Sequence, residues 1–348
     1  GRGLLDLIRQ RFGLGWATVA VGAILIANSC LVISEFIGIG AAFELVGISK
    51  YLVVPAAGVL VWYLVVYGSY QRVEKVFLAM TLVFFAYPLA AFLARPNWSA
   101  VAQGAFIPKF HRDPAYITLL VGLIGTTITP YMQLFQQSSV VERCAARRHY
   151  GPERIDAYVG SIFSNLMSIF MIIATAATLH ASGNRDIESA ADAARALEPV
   201  AGHTAGLIFS IGLIGASMLA AAVLPLATSY AVSEAFGFSK GVSLDFRRAP
   251  IFFGLFTALI IIGVIASLIP NLPIIQLLLG IQVLNGVILP IILVFIMLLI
   301  NDERLMGELK NTRFYNLLGW GTLVLVGLAI ATMLLIQLLQ VFGVRILG

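Results

Sequence analysis

The sequence predicts an all-α polytopic membrane protein, and three observations carry that prediction. Of its 348 residues, 60% are hydrophobic and only 11% are charged, against roughly 25% charged residues in a soluble domain. The mean hydropathy is +0.96. The apolar residues gather into runs of about 20, the length a helix needs to cross a bilayer.

Nine such runs read as spans, at roughly 15–44, 51–68, 74–94, 115–141, 155–182, 203–235, 249–269, 272–300 and 314–342. The stretch Gly1 to Gly13 ahead of the first reads as an amphipathic connector between membrane helices. The chain starts at Gly1 rather than Met and no signal-peptide pattern follows, so the front of a longer protein is expected to be missing. The link Pro270 to Pro273 is short enough to make the seventh and eighth spans a tight hairpin. The longest polar connections are 95–114, 183–202 and 236–248.

Lysine and arginine give an orientation. Loops 1–14, 69–75, 142–154, 236–248 and 301–313 hold 15 of the 22 basic residues. The positive-inside rule places that set in the cytoplasm. Residue 1 is then expected on the cytoplasmic side and the C-terminus outside, at a plasma membrane (a bacterial inner membrane). The net charge of +5 is not gathered into a long basic patch, so nucleic acid is not an expected partner. The cysteines, Cys30 and Cys144, fall in an apolar span and a polar loop and read neither as a disulfide nor as a metal pair. No nucleotide loop, nucleophile triad or His/Cys cluster is present in the sequence, so an enzyme is not expected, nor a cofactor.

The fourth span carries the chemistry. Gly125-Thr126-Thr127-Ile128-Thr129-Pro130-Tyr131-Met132-Gln133 lies in the middle of it. A proline there removes a backbone donor and clashes with the carbonyl four residues back, that of Thr126. In hydrocarbon such a freed carbonyl needs another partner. A broken membrane helix that offers a carbonyl beside hydroxyls and amides is how transporters build a cation site near the bilayer midplane. Gln133, Gln136, Gln137, Ser138 and Ser139 continue the polar run. The bland alternative is that Ser and Thr join helices together in membranes; it explains scattered hydroxyls better than threonines set against a helix-breaking proline.

Other polar residues in the spans are few. Glu35 stands well inside the first span; it reads either as a functional carboxylate or as a buried helix-packing group. No histidine lies deep in a span, which argues against a strongly proton-coupled carrier. The eighth span adds Gln276, Gln282 and Asn285. Gln276 and Gln282 do not share a helix face, so one of them at most is expected at a common site. Asn28, Asn165 and Tyr230 read as helix glue, and Gly122/Gly125 and Gly212/Gly215 as small-residue packing positions.

With these residues in hand, the chain resembles the Nramp family of divalent metal transporters over nearly its whole length. The family's helix six motif, Ala-x-x-Met-Pro-His, falls on Thr126-Thr127-Ile128-Thr129-Pro130-Tyr131. Ser34-Glu35-Phe36-Ile37-Gly38 is similar to its third helix, and Asn301-Asp302-Glu303-Arg304-Leu305-Met306-Gly307 to its connector after helix ten. The resemblance implies a LeuT-type core of two inverted five-helix repeats, here lacking its first two helices, with nine transmembrane helices present. On that scheme 1–14 is a cytoplasmic connector and 15–94 the remainder of the first repeat. The second repeat is 115–300, and 301–348 is a connector plus helix eleven. The absent first helix would bring the family's metal-binding aspartate.

Three departures from the main family stand out. Thr129 fills the methionine slot, Tyr131 and Gln136 fill the two histidine slots, and Val32 fills the slot of the helix-three proton-path aspartate; 249–269 has no Lys or Arg to match the family's helix-nine arginine. Thioether suits transition metals, whereas hydroxyl and carbonyl oxygen suit Mg²⁺, Ca²⁺ and Mn²⁺. The combination resembles the Nramp-related magnesium transporters, which implies movement of Mg²⁺ and Mn²⁺ by alternating access without protons. Thr126 (through its carbonyl), Thr129 and Gln276 are the expected ligands and Pro130 the helix break. Tyr131, Gln133, Gln136, Glu35, Gln282 and Asn285 are expected to line the pathway. The expected partners are the divalent ion and the lipid bilayer, with no obligate protein partner. A proton-coupled Mn²⁺/Fe²⁺ symporter, an organic-substrate carrier with the same core, and a membrane sensor remain the alternatives.

Overall fold

The computed structural model describes residues 2–67, 75, 79, 82–107, 114–142, 149–181, 183, 190–198, 202–270 and 274–341. Every regular element among them is helical. Seven helices are long and apolar enough to cross a membrane, counting Pro114–Glu142 as one interrupted helix, and Lys50–Val66 is a shorter apolar helix of 17 residues. These account for eight of the nine expected spans. The remaining one, 74–94, lies partly outside the described residues; its second half forms a 3₁₀ turn, Leu82–Phe85, and a helix, Ala86–Leu93.

The helices that position the site are α1 (Leu4–Phe12), α2 (Leu14–Glu44), α3 (Lys50–Val66), α4 (Ala86–Leu93), α5 (Trp98–Phe106), α6 (Pro114–Thr127), α7 (Pro130–Glu142), α8 (Tyr150–Thr175), α9 (Ala205–Phe236), α10 (Pro250–Ser267), α11 (Ile274–Ile300) and α12 (Arg313–Val341). A π turn, Ala176–His180, extends α8. The core forms where α2, α3, α9 and α10 meet. Val32, Phe36, Val61, Leu224, Phe252, Phe253 and Phe256 are buried together there. Small residues let these helices close on one another. A Cβ on Gly263 would lie 2.7 Å from both Phe36 and Val32, and one on Gly58 2.6 Å from Val264. Outward-facing positions stay apolar: Leu52, Leu317 and Leu325 are more than 70% exposed, which a bilayer accepts and water does not.

The connector α1 tucks Leu5 and Ile8 against the first half of α2 and the last turns of α11. Arg11 pairs with Asp302 at 3.1 Å, fixing α1 to the segment after α11. There Asn301 and Asn316 exchange amide hydrogen bonds of 2.8 and 2.7 Å, joining the base of α12 to that of α11. A reciprocal amide pair of this kind satisfies a donor and an acceptor on each side chain at once.

Candidate functional site

The expected helix break is present. α6 ends at Thr127 and α7 begins at Pro130, with Ile128 and Thr129 between them outside either helix. Proline suits the first position of α7, where a helix N–H has no partner. The last backbone bond of α6 runs from the Ile128 N–H to the Ile124 carbonyl at 2.9 Å, and no backbone donor among the described residues reaches the Thr126 carbonyl. Thr126 is exposed and Thr129 half-buried. The Thr129 and Tyr131 side chains are neighbours. Thr127 turns the other way: its hydroxyl donates to the Leu123 carbonyl at 2.7 Å and so is engaged by its own helix.

Two contacts fix the break in place. Ile128 joins Val121, Leu289 and Val326 in an apolar cluster of α6, α11 and α12. Just ahead of it, Gly125 and Gly286 bring α6 and α11 to backbone contact; a Cβ on Gly125 would overlap the Gln282 carbonyl oxygen. Beside that crossing Asn285, 1% exposed, donates to Gln282 Oε1 at 3.2 Å. Gln282 and Asn285 therefore stand next to the break. Gln276 is exposed on the first turn of α11, and no hydrogen bond among the described residues ties it to the break.

On the far side of the break, Tyr131 and Phe135 pack against the core of α2, α9 and α10. Glu35 lies near Tyr131 and near Ser217 of α9. Gly38 makes that approach possible, since a Cβ there would lie 2.7 Å from Ser217 Oγ. The motif Ser34 to Gly38 thus has a physical reading: Phe36 faces α10, Gly38 admits α9, and Glu35 meets Ser217. Gln133, one turn along α7 from the break, has a buried Oε1 with no hydrogen-bond partner. Gln136 is exposed.

Asn28 behaves as expected of a helix-joining residue, donating to Thr228 at 2.8 Å in the buried α2–α9 contact. Sequence reasoning missed Glu234. Its place near the end of a span reads as solvated, yet it is 1% exposed. It lies 3.3 Å from Lys240, and Ser138 donates to it at 2.7 Å. Among the described residues no three of His, Cys, Asp and Glu gather into a metal-binding group.

A bundle of apolar spans in which one helix is broken midway is an arrangement that transporters use. The family described as Natural resistance-associated macrophage protein-like (Nramp) matches residues 1–337, and the chain belongs to it. A divalent metal cation transporter, MntH, of Klebsiella pneumoniae (strain 342) is 26% identical over 295 residues, covering 83% of this chain and 68% of that relative. The protein of the same name from Vibrio campbellii is 25% identical over 323 residues, covering 91% and 73%. Among solved structures, the manganese transporter of Eremococcus coleocola superposes with a TM-score of 0.66 at 17% identity, covering 98% of this chain and 75% of that one. At that identity the likeness is one of fold, and it is the LeuT-type fold expected from the sequence.

Proposed function

We propose that the chain carries divalent cations, Mg²⁺ chiefly and Mn²⁺ also, across the plasma membrane by alternating access and without moving protons. The names of its relatives support the divalent cargo. One observation carries the choice of ion: the unpartnered donors identified at the break are oxygens. The Thr126 carbonyl lacks a backbone donor, Thr129 holds a hydroxyl in the slot where the family motif has a thioether, and Gln133 keeps an unpartnered carbonyl one turn away. Mg²⁺ takes oxygen ligands and keeps several waters, and amide carbonyls such as Gln133, Gln282 and Gln136 can hold a partly hydrated ion. Gln276, exposed at the entry to α11, would contact the ion's water shell rather than the ion. Residue 1 and the loops rich in Lys and Arg are assigned to the cytoplasm.

Val32 supports the absence of coupling. It is fully buried among the rings and branched chains of the core, and α10 carries no basic residue. The test uses the full-length protein in proteoliposomes, with an internal Mg²⁺ dye and internal pH read in the same vesicles. Mg²⁺ entry without acidification is expected. Mn²⁺ entry with acidification, and no Mg²⁺ entry, would overturn the proposal in favour of the proton-coupled symporter.

A further inference from the structure

We propose that Glu234, Ser138 and Lys240 form a latch that holds the second half of the broken helix, α7, against the α1–α9 scaffold and so closes the cytoplasmic exit. This rests on the alternating-access reading and on the assignment of this side to the cytoplasm. Three links from α7 reach the scaffold. Ser138, 3% exposed, donates to Glu234 Oε1 at 2.7 Å. Gln137 donates to the Arg2 carbonyl at 3.1 Å. Glu142 accepts from the Val242 N–H, in the loop after α9, at 2.9 Å. All three lie beyond Gln133, between the break and the end of α7.

The scaffold side is itself held by charge. Lys240 bridges Glu234 Oε1 at 3.3 Å and Asp6 Oδ2 at 2.7 Å. Asp6 also pairs with Arg9 at 3.4 Å, and Arg9 donates to the Ala235 carbonyl at 3.3 Å. Gly3 leaves room for the Glu234 carboxylate, which a Cβ there would overlap. Two oxygen atoms at the centre stay unsatisfied, Glu234 Oε2 and Ser233 Oγ, both buried. A buried carboxylate with one free oxygen is costly unless paired. Closure therefore rests on few bonds, while opening would bring water to Glu234 Oε2. Opposed terms of this kind make a junction that separates in one step rather than by gradual bending.

The test reads closure directly. Gln133→Cys, in a background with Cys30 and Cys144 replaced by serine, places a thiol at a site that is half-buried in the closed structure. A membrane-impermeant maleimide is applied to the cytoplasmic face of vesicles in the absence of metal. Ser138→Ala is expected to raise the labelling rate about tenfold, the change produced by losing a charge-assisted hydrogen bond of about 1.4 kcal/mol. Glu234→Gln should raise it similarly, and Ser138→Thr should restore slow labelling. Ser168→Ala, whose hydroxyl only meets its own helix's Ser164 carbonyl, should leave the rate alone. Parent-rate labelling in Ser138→Ala overturns the latch, and that variant decides alone if Glu234→Gln does not fold. Transport is read separately in the parent protein with Gln133 intact: faster labelling of the Ser138→Ala variant, together with failure of that parent protein to carry Mg²⁺, would uphold the latch and overturn the ion assignment instead.

Discussion

The close crossing of α6 and α11 is the feature on which the geometry of the break depends, and two alanine substitutions three residues apart test it. A Cβ added to Gly125 would overlap the Gln282 carbonyl oxygen and press on the backbone of Gly286. Those atoms are main chain, so no rotamer change relieves the overlap. The helices would have to separate by about 1 Å to restore ordinary contact distances. Overpacking of this kind costs about 1–3 kcal/mol, and Gly125→Ala belongs at the upper end because backbone must move. Gly122→Ala meets the Cγ2 of Val283 at 3.4 Å, an ordinary van der Waals contact with a side chain rather than with backbone, and should be close to neutral. Both variants are purified in one detergent, and the loss of the monodisperse peak is followed with temperature. Gly125→Ala should fall on the order of 5 °C below the parent, with Gly122→Ala within about a degree. Ion uptake should fall in the first variant alone, since Gln282 and Asn285 would be displaced from the break. Equal melting of the two would refute the crossing, and with it the placement of α11 beside Thr126.

Thr129→Met should shift selectivity from Mg²⁺ toward Mn²⁺ and Cd²⁺, because sulfur is the softer donor; competition for uptake reads it, and an unchanged Mg²⁺/Cd²⁺ ratio removes Thr129 from the ligand set. Glu35→Gln keeps a group able to bond Ser217, so stability should change by less than about 1 kcal/mol, while apparent affinity for Mg²⁺ weakens several-fold if the charge attracts the ion. Unaltered affinity with lowered stability would make Glu35 a packing residue. Val32→Asp places a carboxyl at a fully buried position, at a cost of about 3 kcal/mol or more; the variant should melt early and still show no proton uptake, and acidification coupled to Mg²⁺ entry in it would contradict the reading of α10 as inert.

Spans are legible in this sequence because bilayer thickness imposes a length that apolar runs must meet, and the helices from Leu14 to Val341 follow those runs closely. Pro130 is legible for a similar reason: its effect is local, fixed by ring geometry and the missing N–H. Gly122 and Gly125 can be read as packing positions, but their partner cannot, because Val283, Gln282 and Gly286 lie more than 150 residues along the chain. Glu234 is the clearest case of what stays hidden. Its burial depends on Ser138, 96 residues away, on Lys240 after the helix end, and on the missing side chain of Gly3. Each of these looks ordinary alone. Gln276 is exposed on the first turn of α11, while Gln282 and Asn285 pair with each other further along that helix.

The distribution of polar groups along α9 ties these observations together. Ser217 meets Glu35, Thr228 meets Asn28, and Glu234 meets Ser138 and Lys240. The first two contacts join α9 to α2, and the Asn28–Thr228 bond does not involve the broken helix. Its loss would loosen the scaffold without freeing α7. The third reaches α7, and it is the one with a carboxylate oxygen left unsatisfied. In a medium without water, satisfied pairs hold helices fixed, while an incompletely satisfied one leaves a contact whose free energy can be recovered by hydration. The satisfied Asn28–Thr228 contact between α2 and α9 therefore belongs to the fixed frame, and the incompletely satisfied contact at the end of α9 is where that frame can release the half-helix carrying Gln133 and Gln136.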